Sequence, residues 1–353
     1  MKSVLDIKDT RRVENLRSRV RQAMYLTAET WACPEVIKPL DAQTPIAVRK
    51  AKALALKVSR MPTQLWDGQL FAGSLTLEEP RLHAEGGFPE YLTPEESKEA
   101  EKQGLGTGCF GHIVPDYPLL LSTGLSGIID QAEKARLTCG DPEQIVFFES
   151  VEIALQGVLD FASRLADQCA VDASSASESR AAELLTMSAN LRTVPGLPAQ
   201  TFWQALQSVW LLHMIFHASK NNNALGRVDQ YIQPFLEKDL ANGDITIEQA
   251  AELVDCFTLK FNERAQTSEE QLAENRKDEP IDTGNRTRHG TSSQLGRSRD
   301  RLDATNHWLQ NIIVGGIRPD GSDGTNLASF LILRSFHGNK MTNPLVTVRA
   351  HKQ

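Results

Sequence analysis

Apolar side chains recur at spacings of three and four along the stretch that follows Pro198. Thr201 precedes this stretch and Gln204 lies three residues later, an arrangement that predicts a capping box at the start of a helix. The apolar positions cover almost the whole circumference of that helix, and they are Trp203, Leu206, Val209, Trp210, Leu211, Leu212, Met214, Ile215 and Phe216. A helix that is apolar all round belongs inside a large protein, so we predict that it forms part of the core.

A polar break separates this helix from the next one. Three consecutive asparagines occupy 221–223, and asparagine side chains favour turns. Because they directly follow a core helix, we expect this loop to lie at a buried place. A second amphipathic helix is predicted over 229–240, with its end marked by Gly243, and Thr246 with Gln249 predicts a capping box that opens a third helix.

The rest of the chain alternates helical patterns with two strand-like segments. Helices are predicted within 13–60, and breaks near 31–34 and 44–45 separate them. A short helix is predicted after a capping box at 93–96. Two more helices are predicted over 142–165 and 181–191, joined by an exposed connection at 171–179. The predicted strands are 65–77, with a turn at 67–68, and 312–314, which has the composition of a buried strand. This order indicates an α/β protein that is rich in helix.

One segment departs from this alternation. Residues 265–305 are rich in Asn, Arg, Ser, Asp and Glu and contain few apolar side chains. A loop of this length is uncommon in a compact domain unless it is functional or disordered. We therefore predict a flexible surface insertion within a single domain that covers 1–353.

Composition excludes several classes of protein. The chain has 353 residues, 41% of them hydrophobic, which suffices for a substantial core, and its net charge of −7 disfavours a nucleic-acid surface. The N-terminus lacks the apolar core of a signal peptide and no apolar segment reaches membrane-spanning length, so we expect a cytoplasmic protein that binds neither nucleic acid nor membrane. Five cysteines without a Cys-x-x-Cys pair indicate reduced thiols and no zinc site.

Short motifs along the chain resemble those of one family. They occur in the family's order, and they are 69–74, Pro80-Arg81, 88–91, Gly111-His112-Ile113, Asp116-Tyr117, Gly124-Leu125, 225–231, Val314-Gly315-Gly316 and 343–349. Each motif is weak alone, but together they resemble the glycyl radical enzymes, specifically the pyruvate formate-lyase-like branch that includes glycerol and diol dehydratases. The resemblance extends over nearly the whole chain.

This resemblance implies a fold and a class of reaction. The fold would be the first half of a glycyl radical enzyme-type barrel, in which two antiparallel half-barrels are wrapped by helices. In the family, an activase that uses S-adenosylmethionine and an iron–sulfur cluster installs a glycyl radical, which oxidises a cysteine to the thiyl radical that abstracts substrate hydrogen. The implied function is that of a lyase or dehydratase acting on a small-molecule substrate.

Two departures from the family pattern limit this expectation. Family members are roughly twice as long, and their Gly-Cys-x-Glu and Arg-Val-x-Gly-Tyr motifs, which hold the catalytic cysteine and the radical glycine, do not occur in this sequence. Only a short polar stretch separates Tyr91 from His112, where dehydratase relatives carry a much longer helical excursion. We therefore expect an N-terminal piece, a truncated gene product or one half of a split enzyme, inactive alone and binding no cofactor directly. Its expected partners are a complementing C-terminal half or chain and the radical SAM activase, and a homodimer stays an open alternative.

Three polar residues are candidates for the substrate site. By resemblance, 111–125 corresponds to the loop that brings a histidine towards the substrate, so His112 is the candidate catalytic residue, contacting a substrate hydroxyl and moving a proton. Asn221 and Asn222 align approximately with the His-Ser pair that holds substrate in relatives, and amides donate and accept hydrogen bonds but cannot act as a base. The alternatives are a histidine satisfied in a loop turn and a polar turn after a helix. No metal ligand and no cofactor-binding residue is predicted.

Other polar residues receive structural interpretations. We interpret Arg227 and Asp229 as a buried ion pair and His213 and His217 as satisfied core residues, although His217 stands where relatives have an acidic residue. Cys109 is interpreted as a packing residue, because no Gly-Cys-x-Glu motif surrounds it. The alternative function for the chain is a noncatalytic helical scaffold or the remnant of a disrupted glycyl radical enzyme gene.

Overall fold

The computed structural model of the protein describes residues 4–23, 41–74, 88–105, 113–219, 223–263, 310–340 and 344–350. Within these residues the chain forms ten α-helices and two β-strands. The helices are α1 (Arg11–Ala23), α2 (Ile46–Arg60), α3 (Pro94–Lys102), α4 (Tyr117–Thr138), α5 (Pro142–Ala173), α6 (Glu178–Thr193), α7 (Phe202–Ala218), α8 (Val228–Asn242), α9 (Ile247–Lys260) and α10 (Leu327–Asn339), and a 3₁₀-helix over Val4–Asp6 precedes them. The strands are β1 (Asn311–Gly315) and β2 (Leu345–Arg349).

Four extended segments lie side by side and run in the same direction. β1 and β2 are parallel, with Ile312 opposite Val346. Gly226 forms a parallel bridge to Ile312, and Ile113 forms a parallel bridge to Asn223. Helices lie between each segment and the next one along the chain, as parallel pairing requires. We call this set, formed by Ile113, residues 223–226, β1 and β2, the parallel wall.

Helix α7 lies in the core, as its apolar circumference predicts. Trp210 and Met214 are fully buried. Thr201 caps the helix by accepting a hydrogen bond from the Gln204 backbone N–H. The predicted capping box is only half formed, because the Gln204 side chain accepts from the backbone N–H of Gln200 and not from that of Thr201.

The two other predicted capping boxes and the predicted glycine at the end of α8 are confirmed. Thr93 with Glu96 at the start of α3, and Thr246 with Gln249 at the start of α9, each exchange both hydrogen bonds of a capping box. Gly243 ends α8 in the left-handed conformation, with φ of 75°. These signals are local, so the sequence suffices to predict them.

Helix α5 is longer than predicted and packs closely on α2. It continues to Ala173, so that residues 174–177 alone connect it to α6. Gly157 lies against α2 at a distance that leaves no room for a side chain, because an added Cβ would meet Cα of Ala55 at 2.9 Å. The absence of a side chain at Gly157 is therefore what allows the two helices to approach.

The strand predicted over 65–77 is wrong for its described part, 65–74, which contains no strand. The predicted turn at 67–68 is present. Two indole groups of α7 donate to backbone carbonyls of this segment, Trp203 to Leu70 at 2.8 Å and Trp210 to Gly73 at 2.9 Å. Side chains of a helix thus supply partners that a neighbouring strand would otherwise provide.

The resemblance predicted a loop over 111–125, but the chain is helical from Tyr117 onwards. The helix is interrupted at Gly124, which has φ of 72°. Leu125 and Ser126 donate their backbone N–H groups to the carbonyls of Pro195 and Gly196 at 2.8 and 2.9 Å. The interruption therefore lets α4 pair with a segment far away in sequence.

Several predictions concern residues outside the described part of the chain. Among them are the helix break at 31–34, the insertion predicted over 265–305 and the packing residue Cys109. Across the described ranges, no helix combines the length and apolarity needed to cross a membrane.

Candidate functional site

The three predicted site residues, His112, Asn221 and Asn222, lie outside the described residues. The residues that directly follow them along the chain, Ile113 and Asn223, are described. The structure therefore shows where the two predicted loops join the core.

Ile113 and Asn223 are neighbours in the parallel wall. They form a parallel bridge, and the Ala224 backbone N–H donates to the Ile113 carbonyl at 3.0 Å. On the opposite edge of the same segment, the Leu225 N–H donates to the Asn311 carbonyl at 2.9 Å. Because the pairing is parallel, the segments that begin at Ile113 and Asn223 start at the same edge of the wall.

Asn223, the last of the three asparagines, is an anchor in the core. It is 2% exposed, and its carbonyl oxygen lies 3.3 Å from Nε2 of His217. Its side-chain Oδ1 is buried and has no hydrogen-bond partner among the described residues. The sequence showed only three similar turn residues, so it gave no signal that separates Asn223 from the other two.

His213 is bonded at both ring nitrogens. Its Nδ1 lies 3.3 Å from the Tyr117 hydroxyl and its Nε2 lies 3.0 Å from Oε1 of Gln310. The Tyr117 hydroxyl is buried, and this burial raises the pKa of Tyr117. His213 and His217 are both fully buried, with ring centroids 4.3 Å apart. The interpretation as a satisfied core residue is confirmed for His213, and His217 is confirmed as a core residue whose Nε2 is bonded.

The ion pair predicted between Arg227 and Asp229 is wrong, because each side chain binds elsewhere. The Arg227 guanidinium donates to the carbonyls of Ile317 and Gly315, each at 2.8 Å. Oδ2 of Asp229 accepts from the Gly315 N–H at 2.7 Å and from the Ser329 hydroxyl at 2.5 Å. Gly315 has φ of 72°, so the chain turns out of β1 there and its backbone groups need such partners. Both charged residues therefore fix the end of β1.

Apolar side chains around the parallel wall are exposed. Each of them is more than half exposed, and they are Ile113, Val114, Ile317, Leu345 and Val348. On β2, Val346 alone is partly buried. The wall thus presents an apolar surface that the described residues leave open.

The described part of the chain offers hydrogen-bonding groups at this wall, and two of its free cysteines, Cys169 and Cys256, are buried. Burial raises the pKa of the Cys169 thiol to about 12 and also raises the pKa of Cys256. Among the described residues, no group of three or more His, Cys, Asp or Glu side chains could hold a metal ion.

A family model described as pyruvate formate lyase-like matches residues 79–353. The chain belongs to this family. The match includes the whole parallel wall and eight of the ten described helices, α3 to α10. The predicted membership in the glycyl radical enzymes is confirmed.

Two curated relatives show how much of a pyruvate formate lyase-like protein is present. Isethionate sulfite-lyase from Desulfovibrio desulfuricans is 31% identical over 251 residues, which are 68% of this chain and 27% of the relative. (2S)-3-sulfopropanediol dehydratase from Klebsiella oxytoca is 28% identical over 252 residues, which are 69% of this chain and 27% of the relative. The chain therefore spans about a quarter of the length of these relatives.

Solved structures show the same fold. A structure on 1,2-propanediol dehydration in Roseburia inulinivorans has a TM-score of 0.74 and 24% identity, covering 99% of this chain and 46% of that chain. The glycerol-bound B12-independent glycerol dehydratase from Clostridium butyricum also has a TM-score of 0.74 and 24% identity, covering 97% of this chain and 48% of that chain. The predicted fold class, a helix-rich part of the glycyl radical enzyme barrel, is confirmed.

Proposed function

We propose that this chain forms the substrate-positioning wall of a glycyl radical lyase or dehydratase that acts on a small organic molecule. The chain spans 27% of its sulfite-lyase relative, and neither the Gly-Cys-x-Glu nor the Arg-Val-x-Gly-Tyr motif occurs in its 353 residues. The proposal therefore assigns the radical chemistry to residues outside this sequence, in a C-terminal part or complementing chain that a radical SAM activase acts on.

The proposed position of the site is based on the bridge between Ile113 and Asn223. His112 directly precedes Ile113, and Asn222 directly precedes Asn223. Consecutive Cα atoms are only about 3.8 Å apart, and the bridge is parallel, so both loops enter the wall at the same edge. This supports a single pocket that takes His112 together with Asn221 and Asn222.

The three side chains have different roles in this proposal. An imidazole can donate and accept a proton near neutral pH, so His112 would move a proton at a substrate hydroxyl. The amides of Asn221 and Asn222 would orient the substrate, because an amide cannot take up that proton.

The names of several relatives favour a hydroxylated substrate. They include (2S)-3-sulfopropanediol dehydratase from Klebsiella oxytoca and trans-4-hydroxy-L-proline dehydratase from Clostridioides difficile. A structural neighbour is a glycerol dehydratase from Clostridium butyricum. A wall of hydrogen-bonding groups beside apolar side chains suits such small polar molecules.

The test is reconstitution under anaerobic conditions with a polypeptide that carries both radical motifs and with an activase. Turnover of glycerol, isethionate and trans-4-hydroxy-L-proline is measured for the wild type, for His112→Ala and for a control, His337→Ala, which removes an exposed histidine of α10. We expect His112→Ala to lower turnover by roughly 100-fold or more, with the melting temperature unchanged. Equal turnover of the two variants would refute the role of His112, and no turnover with any such partner would favour the noncatalytic scaffold.

A further inference from the structure

A chain of buried hydrogen bonds lies behind the parallel wall. Nε2 of Gln310 donates to the Phe261 carbonyl at 3.1 Å, and Oε1 of Gln310 lies 3.0 Å from Nε2 of His213. Nδ1 of His213 lies 3.3 Å from the Tyr117 hydroxyl. All four residues are 2% exposed or less. This series of hydrogen bonds thus connects the end of α9, the residue before β1, helix α7 and the start of α4.

The donor and the acceptor in each of these hydrogen bonds can be assigned by starting from the Phe261 carbonyl. A carbonyl only accepts, so the Gln310 amide donates to Phe261 and presents its oxygen to His213. Nε2 of His213 therefore carries a proton, and in a neutral ring Nδ1 accepts a hydrogen bond from the Tyr117 hydroxyl.

His217 makes a similar bond one helical turn further along α7. Its Nε2 lies 3.3 Å from the Asn223 carbonyl, which can only accept, so this nitrogen also carries a proton. Asn223 is the bridge partner of Ile113. His217 therefore holds the backbone of the segment on which the pairing with Ile113 depends.

We propose that His213 and His217 are positioning residues that set the register of the wall at the edge where the substrate loops enter it. Asn223 begins the 223–226 segment of the wall, Gln310 directly precedes β1, and Tyr117 lies just after the Ile113 segment. Two rings on one rigid helix thus tie the beginnings of two neighbouring segments, and the chain just after a third, to the core. The inference rests on the proposed function only for the identity of the molecule that the two loops bind. The alignment of the wall segments does not require a substrate.

The hydrogen bonds, and not only the ring volumes, are what this role requires. An apolar side chain of similar size at 217 would fill the same space but would leave the buried Asn223 carbonyl without the His217 donor. The segment could then shift relative to Ile113 with little change in packing. Register should therefore depend on whether residue 217 carries a donor.

The test compares two replacements of His217 in the full 353-residue chain. His217→Gln keeps a side-chain N–H that can reach the Asn223 carbonyl, whereas His217→Met keeps the volume without a donor. The measured quantity is the hydrogen–deuterium exchange rate of the Ala224 amide, which donates to the Ile113 carbonyl. We expect His217→Met to raise this rate by roughly tenfold, while His217→Gln stays near the wild-type rate.

A control separates register from general stability. Val158→Ala removes buried volume on α5 and lowers the stability of the whole protein. The inference is refuted if Val158→Ala speeds exchange of the Ala224 amide as much as His217→Met does at an equal melting temperature. It is also refuted if His217→Gln and His217→Met have the same effect.

A second measurement uses the ring nitrogens of His213. Their ¹⁵N chemical shifts should report a proton on Nε2, and an unprotonated Nε2 would overturn the deduced series of hydrogen bonds. Failure of the proposed function has a different signature. In that case neither glycerol nor isethionate binds to the reconstituted wild type, while the exchange differences between the His217 variants persist.

Discussion

The side chain of Gln207 on α7 makes with Ala72 the two hydrogen bonds that the backbone of an adjacent strand would make. Its Oε1 accepts from the Ala72 N–H at 2.9 Å, and its Nε2 donates to the Ala72 carbonyl at 3.2 Å. Both residues are fully buried or nearly so. One side chain thus takes the place of an adjacent strand and holds the segment around Ala72 against the core helix.

We expect Gln207→Leu to destabilise the protein because it keeps the side-chain volume but leaves the N–H and C=O of Ala72 unpaired. At about 1–3 kcal/mol for each of the two unsatisfied groups, the free energy of unfolding should fall by about 2–6 kcal/mol. Urea denaturation measures this change. The control is Gln131→Leu on the exposed side of α4, which should change stability by less than about 0.5 kcal/mol. Equal losses in both variants would show that the bonds to Ala72 contribute nothing.

The contacts of Ala72 also show which parts of the fold the sequence could predict. The capping boxes at Thr93 and Thr246 were predictable because each box closes within four residues. The segment 65–74 was mistaken for a strand because an extended buried segment has the same composition whether its partner is a strand or a helix side chain. Nothing near Ala72 in sequence identifies Gln207 as that partner.

The same limit applies to the candidate site. Sequence pattern alone predicted a buried polar loop after α7, but only the family resemblance connected it with the histidine loop. The bridge between Ile113 and Asn223 and the bond between His213 and Gln310 join distant parts of the chain. No local periodicity reports such contacts, so Asn223 was missed as an anchor.

Gly124 should tolerate no side chain. Its φ is 72°, and an added Cβ would lie 2.3 Å from the Gly196 carbonyl oxygen. Because backbone strain and a clash with backbone act together, we expect Gly124→Ala to lower stability by more than about 2 kcal/mol. Gly140→Ala is the matched control, since nothing lies within 4 Å of its added Cβ and its φ is not positive. Thermal unfolding compares the two, and equal melting temperatures would contradict the expectation.

Glu96 of α3 neutralises a buried arginine of α2. Arg49 is 2% exposed, and its guanidinium donates to the two carboxylate oxygens of Glu96 at 2.8 and 2.6 Å. It also donates to the Tyr91 carbonyl at 2.7 Å. The hydrogen bond from Arg49, followed by that from the Thr93 backbone, lowers the pKa of Glu96 to about 2.

We expect Glu96→Gln to destabilise the protein by about 3 kcal/mol at pH 7, because it leaves the Arg49 charge buried without its carboxylate. Since the folded state lowers the pKa of Glu96, its contribution is present above the ordinary pKa of 4.5 and is lost as the pH falls from there towards 2. The stability difference between wild type and Glu96→Gln should therefore shrink over that range in denaturation curves. Glu95→Gln, an exposed neighbour, should show no such difference at any pH.

The exposed apolar surface of the parallel wall should make the chain associate. We expect the isolated protein to bind a hydrophobic dye and to form aggregates, or a complex with the proposed complementing polypeptide. Leu345→Lys with Val348→Lys, both on β2, should reduce dye binding and aggregation. Leu137→Lys, at a similarly exposed apolar residue of α4, should have a smaller effect. A monodisperse monomer by light scattering without dye binding would contradict an open wall.

The pairing of Ile113 with Asn223 leads to a direct test of the common pocket. If the two chains stay adjacent one residue before the bridge, His112→Cys and Asn222→Cys should form a disulfide under mild oxidation. Disulfides need Cα atoms about 4.4–6.8 Å apart, and neighbouring strands are about 4.8 Å apart. The variants are made with Cys109→Ser, because a thiol three residues from position 112 would compete. Peptide mass mapping after digestion identifies the linked pair.

Two further cysteine pairs decide what a negative result means. Ile113→Cys with Asn223→Cys tests the bridge itself, whereas His112→Cys with Gly140→Cys joins the proposed loop to an exposed residue after α4 and should not crosslink. Linkage at 113 and 223 without linkage at 112 and 222 would mean that the loops diverge as soon as they leave the wall. His112 could then not act on a substrate held by Asn222, so the proposed site would be lost although the fold would stand. Linkage of both pairs would place an imidazole and an amide within reach of one small molecule, because residues adjacent across parallel strands present their side chains to the same face.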